Sequence, residues 1–218
     1  MPTDYYPTIL IPAYQPNENL VKLIKALRQA RAKQRIIVVD DGSDADKQII
    51  FSKIQHLNVE LLQHTKNKGK GQALKTGFQY WLATSHPRDL GLVTADADGQ
   101  HLPQDILHLC DAFMQKPSDL YLGKRTFNKV PIPWRSRIGN KLTKYILRLF
   151  SKTDLEDTQT GLRAIPRKLL PALLSSNATG YEFELEMILI AEENQVLIQE
   201  IPIKTVYIDH NNSSHFNP

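Results

Sequence analysis

Two aspartates stand one residue apart in the stretch TADADGQH, Thr94 to His101. Neighbouring carboxylates repel unless something positive lies between them. In a turn, Asp96 and Asp98 can converge on one cation, and Gly99 would let the chain bend there. A hard divalent ion such as Mg²⁺ prefers oxygen donors and is commonly held by one or two carboxylates plus substrate phosphates. Gln100 offers a further carbonyl oxygen. A calcium-binding helix–loop–helix is a poor rival. With Asp96 and Asp98 at its third and fifth positions, Thr94 falls at the first and Asp105 at the twelfth. That loop wants Asp and Glu at those places.

Other polar clusters close apolar runs in the same manner. IPAYQPNE follows one run, VVDDGS another, and the turn KNKGKG places Lys70 between two glycines. Further on, no acidic residue occurs between Leu120 and Thr153. That block carries Lys124, Arg125, Lys129, Arg135, Arg137, Lys141, Lys144, Arg148 and Lys152. Such a run favours an anionic partner: a phosphate, a lipid headgroup or nucleic acid. Nucleic acid is the weakest of the three, because few aromatics, among them Phe127, Trp134 and Tyr145, interleave the charges, and single-strand binding leans on stacking aromatics.

The elements that must carry these residues alternate. TILIPAY, RIIVVDDGS, VELLQH, LGLVTA and DLYLGKR are strand candidates. Asn17–Ala32 has helical spacing through Leu20, Leu23, Ile24 and Leu27. Ser43 is a candidate cap for a second helix. Ala73, Leu74, Gly77, Phe78, Trp81 and Leu82 mark a third helix, and Pro103 suits the first turn of a fourth, running to about Lys116. Alternating strands and helices predict a parallel sheet covered on both faces. Ligands of such a sheet sit at the carboxyl ends of its strands, where three of the polar clusters fall. In the second half, FNKVPIPWRS reads as a loop, Ile138–Lys152 as a basic amphipathic helix, YEFELEMILIAEE as a helix, and VLIQEIPIKTVYI as a strand pair or one strand kinked at Pro202.

The bulk numbers fit one α/β domain. The chain has 218 residues, 41% of them hydrophobic and 23% charged, which is globular composition. Its net charge is +4. Cys110 is the only cysteine, so no internal disulfide forms. MPTDYYPTILIPAY lacks the pattern of a secretory leader, and no stretch reaches the ~20 apolar residues of a membrane span.

Taken together, IPAYQPNENL, VVDDGS, NKGKGQALKTGF, ADADGQH, LGKR, SRIGNKLT, DTQTGLRAI and IPIKTVY extend over nearly the whole chain. In content and order they resemble a family 2 glycosyltransferase of the GT-A fold, in the dolichyl-phosphate mannose synthase-like branch. A phosphatase of the haloacid dehalogenase type also has aspartates two apart, but after its first strand; here they follow the fourth.

The resemblance implies a Rossmann-like, mostly parallel sheet in a single catalytic domain over residues 1–218. About 1–125 would bind the nucleotide sugar and about 126–218 the acceptor, with a possible membrane region beyond. Pro12, Tyr14 and Glu18 would edge the nucleotide pocket. Val39 and Asp41 would contact the base, Lys70 the nucleotide or diphosphate, and Ala97 would join Asp96 at the donor sugar. Asp96, Asp98 and Gln100 would hold Mg²⁺ or Mn²⁺. Asp98, Arg125 and Asp157 would be the catalytic residues, with Arg125 meeting phosphate. Arg135, Ser136, Arg137 and Arg163 would hold the phosphate of a polyprenyl acceptor. The activity implied is inverting transfer of a hexose from a UDP- or GDP-sugar, by an enzyme at the cytoplasmic face of an anionic membrane. A hydroxyl acceptor, or a non-catalytic nucleotide-sugar-binding domain, is the alternative. The resemblance names neither sugar nor base, and sets no oligomeric state.

Plainer roles compete for several residues. Asp157 is also placed to pair with Arg163 in a turn, and His101 to lead into the helix that starts at Pro103. His215 is either a metal ligand or part of a tail. Glu182, Glu184 and Glu186 read as surface acids. The helix Ile138–Lys152 either packs on the sheet or lies on a membrane.

Overall fold

A computed structural model describes residues 6–125, 155, 157–158 and 160–204. The elements, in chain order, are β1 (Thr8–Ala13), α1 (Glu18–Ala30), β2 (Ile36–Asp40), α2 (Gln48–Gln55), β3 (Glu60–Gln63), α3 (Lys70–Thr84), β4 (Gly91–Thr94), α4 (Pro103–Gln115), β5 (Leu120–Arg125), β6 (Arg163–Pro166), α5 (Leu170–Leu174), α6 (Glu182–Glu193) and β7 (Ile198–Ile203). One seven-stranded sheet runs β3-β2-β1-β4-β6-β5-β7. It is parallel except for β6, which pairs antiparallel with both β4 and β5.

Side chains alternate across a strand, and the core divides accordingly. Ile9 and Ile11 of β1, with Ile36 and Val38 of β2, face a layer made by α1, α2 and α4. Leu10, Ile37 and Val39 face the opposite layer, made by α3, α5 and α6. Burying one such side chain contributes roughly 1.5–3 kcal/mol, so both faces must stay covered. In α1 the buried residues Leu20, Val21, Leu23, Ile24 and Leu27 recur at helical spacing, and the Asn17 side chain caps the helix by accepting from the Asn19 N–H at 2.8 Å. Pro103 opens α4, as its position in the sequence predicts. Cys110 is buried in that helix, and burial pushes its thiol up to about 12, so it stays a neutral packing residue.

The chain leaves β1 towards β2 and β3, then returns to lay β4 on the other side of β1. That reversal opens a crevice at the carboxyl ends of β1 and β4, where ligands of open α/β sheets bind.

Three expectations need correcting. Ser43 does not cap α2: one turn of 3₁₀ helix, Ala45–Lys47, precedes that helix, and the Ser43 hydroxyl accepts instead from the Gln15 N–H at 2.9 Å. The strand β6 was not anticipated, because RAIP is short and sits after an irregular stretch. The segment around Pro202 is one strand with no interruption. β7 is the sheet's edge, where a proline's missing N–H need not break a ladder. The expected basic helix Ile138–Lys152 lies outside the described residues. Among the described residues, no helix is long and apolar enough to cross a membrane.

Candidate active site

Asp96 and Asp98 lie just past the end of β4, in the crevice. The turn carrying them is built from inside. The Gln100 N–H donates to Asp98 Oδ1 at 2.9 Å, closing a local loop. The Asn19 amide, on α1, donates to the Asp98 carbonyl at 2.8 Å and ties the turn to that helix. The Asp96 N–H donates to Nδ1 of the buried His101 at 3.0 Å. His101 therefore does lead into α4, and it also holds the turn. Its Nε2 faces Asp96 Oδ2 at 3.8 Å.

Across the crevice, α3 delivers a cation. Gly69 precedes Lys70 with φ of 93°, a conformation that suits glycine, and a Cβ there would lie 2.5 Å from the Thr179 carbonyl oxygen. Asp41 fixes this turn: its two oxygens accept from the N–H groups of Lys68 and Gly69, each at 2.9 Å. Asp41 Oδ1 also pairs with His64 Nδ1 at 2.6 Å, and His64 Nε2 meets the Thr76 hydroxyl at 2.9 Å. Lys70 Nζ then lies 2.7 Å from Asp96 Oδ1 and 3.0 Å from Glu184 Oε1. Its ring neighbour is the half-exposed Tyr181, 5.6 Å from Nζ to the centroid.

Charge and burial set the protonation states. Burial alone would raise Asp96, but the charge of Lys70 and its hydrogen bond outweigh it, holding the carboxyl down to about 2. Asp98 moves the other way, raised by burial and then by the negative charge of Asp96, against the Gln100 N–H. Burial would lower Lys70, yet Asp96 and Glu184 hold it well above the ordinary lysine range. Asp96 is thus satisfied from within the chain, while Asp98 carries an excess of negative potential. A divalent cation would relieve it. Among the described residues no three His, Cys, Asp or Glu side chains gather to hold a metal by themselves. Two carboxylates and the Gln100 oxygen nonetheless fit a Mg²⁺- or Mn²⁺-type ion that takes its other ligands from a bound phosphate group and water.

A second polar knot lies at the end of β5. Asp157 is fully buried, and its oxygens accept from Arg125 Nε at 2.6 Å and Nη2 at 2.9 Å. The Arg125 backbone N–H adds a third bond at 3.1 Å, and the Asp157 N–H donates to Glu200 of β7 at 3.0 Å. Paired hydrogen bonds of this kind match guanidinium to carboxylate.

The other expected site residues have defined surroundings. Asp157 pairs with Arg125 and not with Arg163, and its buried carboxylate positions the Arg125 guanidinium. Arg163 is buried, donating to the carbonyls of Thr160 (2.9 Å), Thr158 (3.0 Å) and Glu184. Those bonds tie β6 to α6 and occupy the guanidinium within the chain. Asp41 is buried behind the Gly-rich turn, which it holds in place before Lys70. The Val39 side chain packs in the core, opposite Pro12 in the β1–β2 register. Tyr14 is exposed past β1, and Glu18 sits at the start of α1 in an ion pair with Lys53. Ala97 lies between the two aspartates, partly exposed. Arg135, Ser136, Arg137 and His215 lie outside the described residues.

Glu184, expected to be a surface acid, is not one. It is buried and reaches Lys70, while Glu182 accepts from the Thr179 and Gly180 N–H groups at 3.0 and 2.8 Å and Glu186 from the Ser176 hydroxyl at 2.9 Å. The signal was present: Glu184 lies on the apolar stripe of α6, one residue after Phe183 and four before Ile188. Gly161 was passed over too. A Cβ there would lie 2.4 Å from Asp96 Oδ2, so only glycine leaves room for that carboxylate.

The sequence pattern of the family described as Glycosyl transferase family 2 matches residues 8–174, which includes β1 to β6, Lys70, Asp96, Asp98 and the Arg125–Asp157 pair. The chain belongs to that family. It is a glycosyltransferase with a GT-A fold. One curated relative is the UDP-N-acetylglucosamine–dolichyl-phosphate N-acetylglucosaminyltransferase of Methanococcus voltae, 30% identical over 93% of this chain and 86% of that protein. Another is the polyprenol monophosphomannose synthase of Mycolicibacterium smegmatis, 28% identical over 89% of this chain and 75% of the relative. Among solved structures, glucosyl-3-phosphoglycerate synthase of Mycobacterium tuberculosis, in complex with Mn²⁺ and UDP, superposes with a TM-score of 0.72 at 18% identity, over 92% of this chain and 71% of that one. A mannosyltransferase of Pyrobaculum calidifontis, in complex with GDP-Man and Mn²⁺, gives 0.62 at 17% identity, over 98% of this chain and 60% of that one. At such identities the structural likeness speaks for the fold.

Proposed function

We propose that this glycosyltransferase moves a hexose from a nucleotide diphosphate sugar, UDP- or GDP-linked, to a polyprenyl phosphate, with inversion at the anomeric carbon and with Mg²⁺ or Mn²⁺ bound at Asp96, Asp98 and Gln100. The observation that carries the donor half is the pairing of acids and a lysine at one strand end: Asp96 and Asp98 face Lys70 in the crevice of the sheet. The acceptor half is supported by the named activities of the curated relatives, which transfer sugars to dolichyl or polyprenyl phosphate.

Breaking the bond between sugar and diphosphate leaves negative charge on the diphosphate oxygen. The bound cation would supply the Lewis acid that neutralises this charge. Lys70 adds an ammonium on the same side, and a charge held in a part-buried crevice acts more strongly than one in water. The acceptor phosphate is already ionised at neutral pH. Its oxygen attacks the anomeric carbon from the face opposite the diphosphate, so the chain need not supply a strong base. Arg125, aimed by Asp157, would meet phosphate. Arg135, Ser136 and Arg137 would hold the acceptor phosphate, and the basic block around them would keep the enzyme at an anionic, cytoplasmic membrane face, peripherally or as part of a longer membrane protein.

The test supplies a polyprenyl phosphate and a panel of UDP- and GDP-sugars with Mn²⁺ or Mg²⁺. A glycolipid product is expected, lost in Asp98→Ala and in excess chelator. Product formed only on hydroxyl acceptors, or full turnover with chelator, overturns the proposal.

A further inference from the structure

One ammonium in the crevice has two carboxylates, and they come from different elements. Lys70 Nζ lies 2.7 Å from Asp96 and 3.0 Å from Glu184. Lys70 and Glu184 are well covered, with side-chain exposures of 16% and 10%, and Asp96 is more open at 26%. The three backbones are held independently. Asp41 anchors the turn before Lys70, His101 anchors Asp96, and Arg163 binds the carbonyl of Glu184. The lysine side chain is therefore the adjustable member: a long stem between two fixed acids.

Asp96 is also one of the two carboxylates assigned to the divalent cation. A cation arriving at Asp96 competes with the ammonium that sits on Oδ1. Removing one partner of a buried ion pair is strongly unfavourable when the other is left uncompensated. Lys70 escapes that penalty, because Glu184 remains when Asp96 is taken.

We propose that Lys70 is an exchangeable internal counter-ion of the Asp96–Asp98 site, and that Glu184 is the positioning residue that keeps it when a divalent cation loads. The inference rests on the metal reading above. It makes cation loading a swap in which Asp96 passes from Lys70 to the metal. The released ammonium stays beside the site, where it faces the diphosphate. An empty site is kept neutralised and folded by the lysine, and it is charged for catalysis when the cation arrives.

The test is Mn²⁺ affinity of the full chain without nucleotide, read by electron paramagnetic resonance of free Mn²⁺, together with thermal melting. Lys70→Met removes the competitor and is expected to bind Mn²⁺ about tenfold more tightly, which corresponds to about 1.4 kcal/mol. Lys70→Gln serves where the methionine variant fails to fold. Glu184→Gln leaves Asp96 as the lysine's only acid and is expected to bind about tenfold more weakly, while Glu184→Asp returns towards the wild type. Combined with Lys70→Met, Glu184→Gln should add nothing, because no lysine remains to be held. Equal Mn²⁺ affinity in the wild type and the Lys70 variants overturns the inference. So does a Glu184→Gln loss that persists without Lys70, since that is only the loss of a nearby charge. If no variant binds Mn²⁺, even with UDP or GDP present, the metal reading itself falls and takes the swap with it.

Discussion

Gly161→Ala should move one carboxylate and little else. Gly161 lies just before β6 and is not among the glycines with positive φ, so its backbone accepts an alanine. The added Cβ would lie 2.4 and 2.5 Å from the two oxygens of Asp96 and 2.7 Å from its Cγ. Ordinary contact begins near 3.4 Å, so the carboxylate must retreat by about 1 Å (3.4 less 2.4). The side chain is short and partly exposed, and leaving its rotamer costs about 0.5–1.5 kcal/mol. For a chain of this size that lowers the melting temperature by only a few degrees, roughly 2–4 °C per kcal/mol. A misplacement of about 1 Å at a reacting site can cost on the order of a hundredfold in rate. The variant should therefore melt near the wild type and lose about a hundredfold in kcat/KM, measured with radiolabelled donor sugar at saturating Mn²⁺. Wild-type activity in a folded variant would refute the placement of Asp96 at the chemistry. Gross unfolding would refute the claim that only the carboxylate moves.

Two further outcomes follow from the same geometry. Asp157→Ala strips Arg125 of its paired carboxylate and should destabilise the fold by about 2–3 kcal/mol, less than a fully buried pair because Arg125 is 26% exposed. Urea denaturation measures this, and in an Arg125→Ala background the same substitution should cost clearly less; equal costs in both backgrounds would mean the pair is not the source. Asp96 is held down to about 2, below the ~3.9 of an unfolded aspartate. Its contribution is therefore complete above pH ~3.9 and is lost as pH falls through about 2. The stability gap between the wild type and Asp96→Asn should be constant from neutral pH to about 4 and shrink towards pH 2; a gap that widened with acid would contradict the Lys70–Asp96 pair.

The order of strands and helices up to β5 was legible because each element there carries its own period and its own stop: helical spacing in α1, apolar runs ending in acids at β2 and β4, and Pro103 at α4. The short strand RAIP was not. A four-residue strand has little period of its own, and what makes it a strand is the open hydrogen-bonding edges of β4 and β5. The roles of charged residues were the least legible. Asp157 and Arg163 are six apart in sequence and looked like partners, yet one turns to Arg125 and the other to backbone carbonyls. Spacing along an irregular segment does not say which way a side chain points.

The sequence by itself determined that this chain is a two-faced α/β sheet with its acids at the strand ends, and that Asp96 and Asp98 lie together in a turn. Those are local facts, set by period, by turn chemistry and by residues a few places apart. Only the tertiary structure decided what the acids meet. Lys70 reaches Asp96 across the crevice, Glu184 comes in from α6 to share it, and Gly161 leaves the space in which the carboxylate sits. Those contacts join residues far apart in the chain. They exist because β1, β4 and β6 are neighbours in one sheet and α3 packs beside α6 on one face of it.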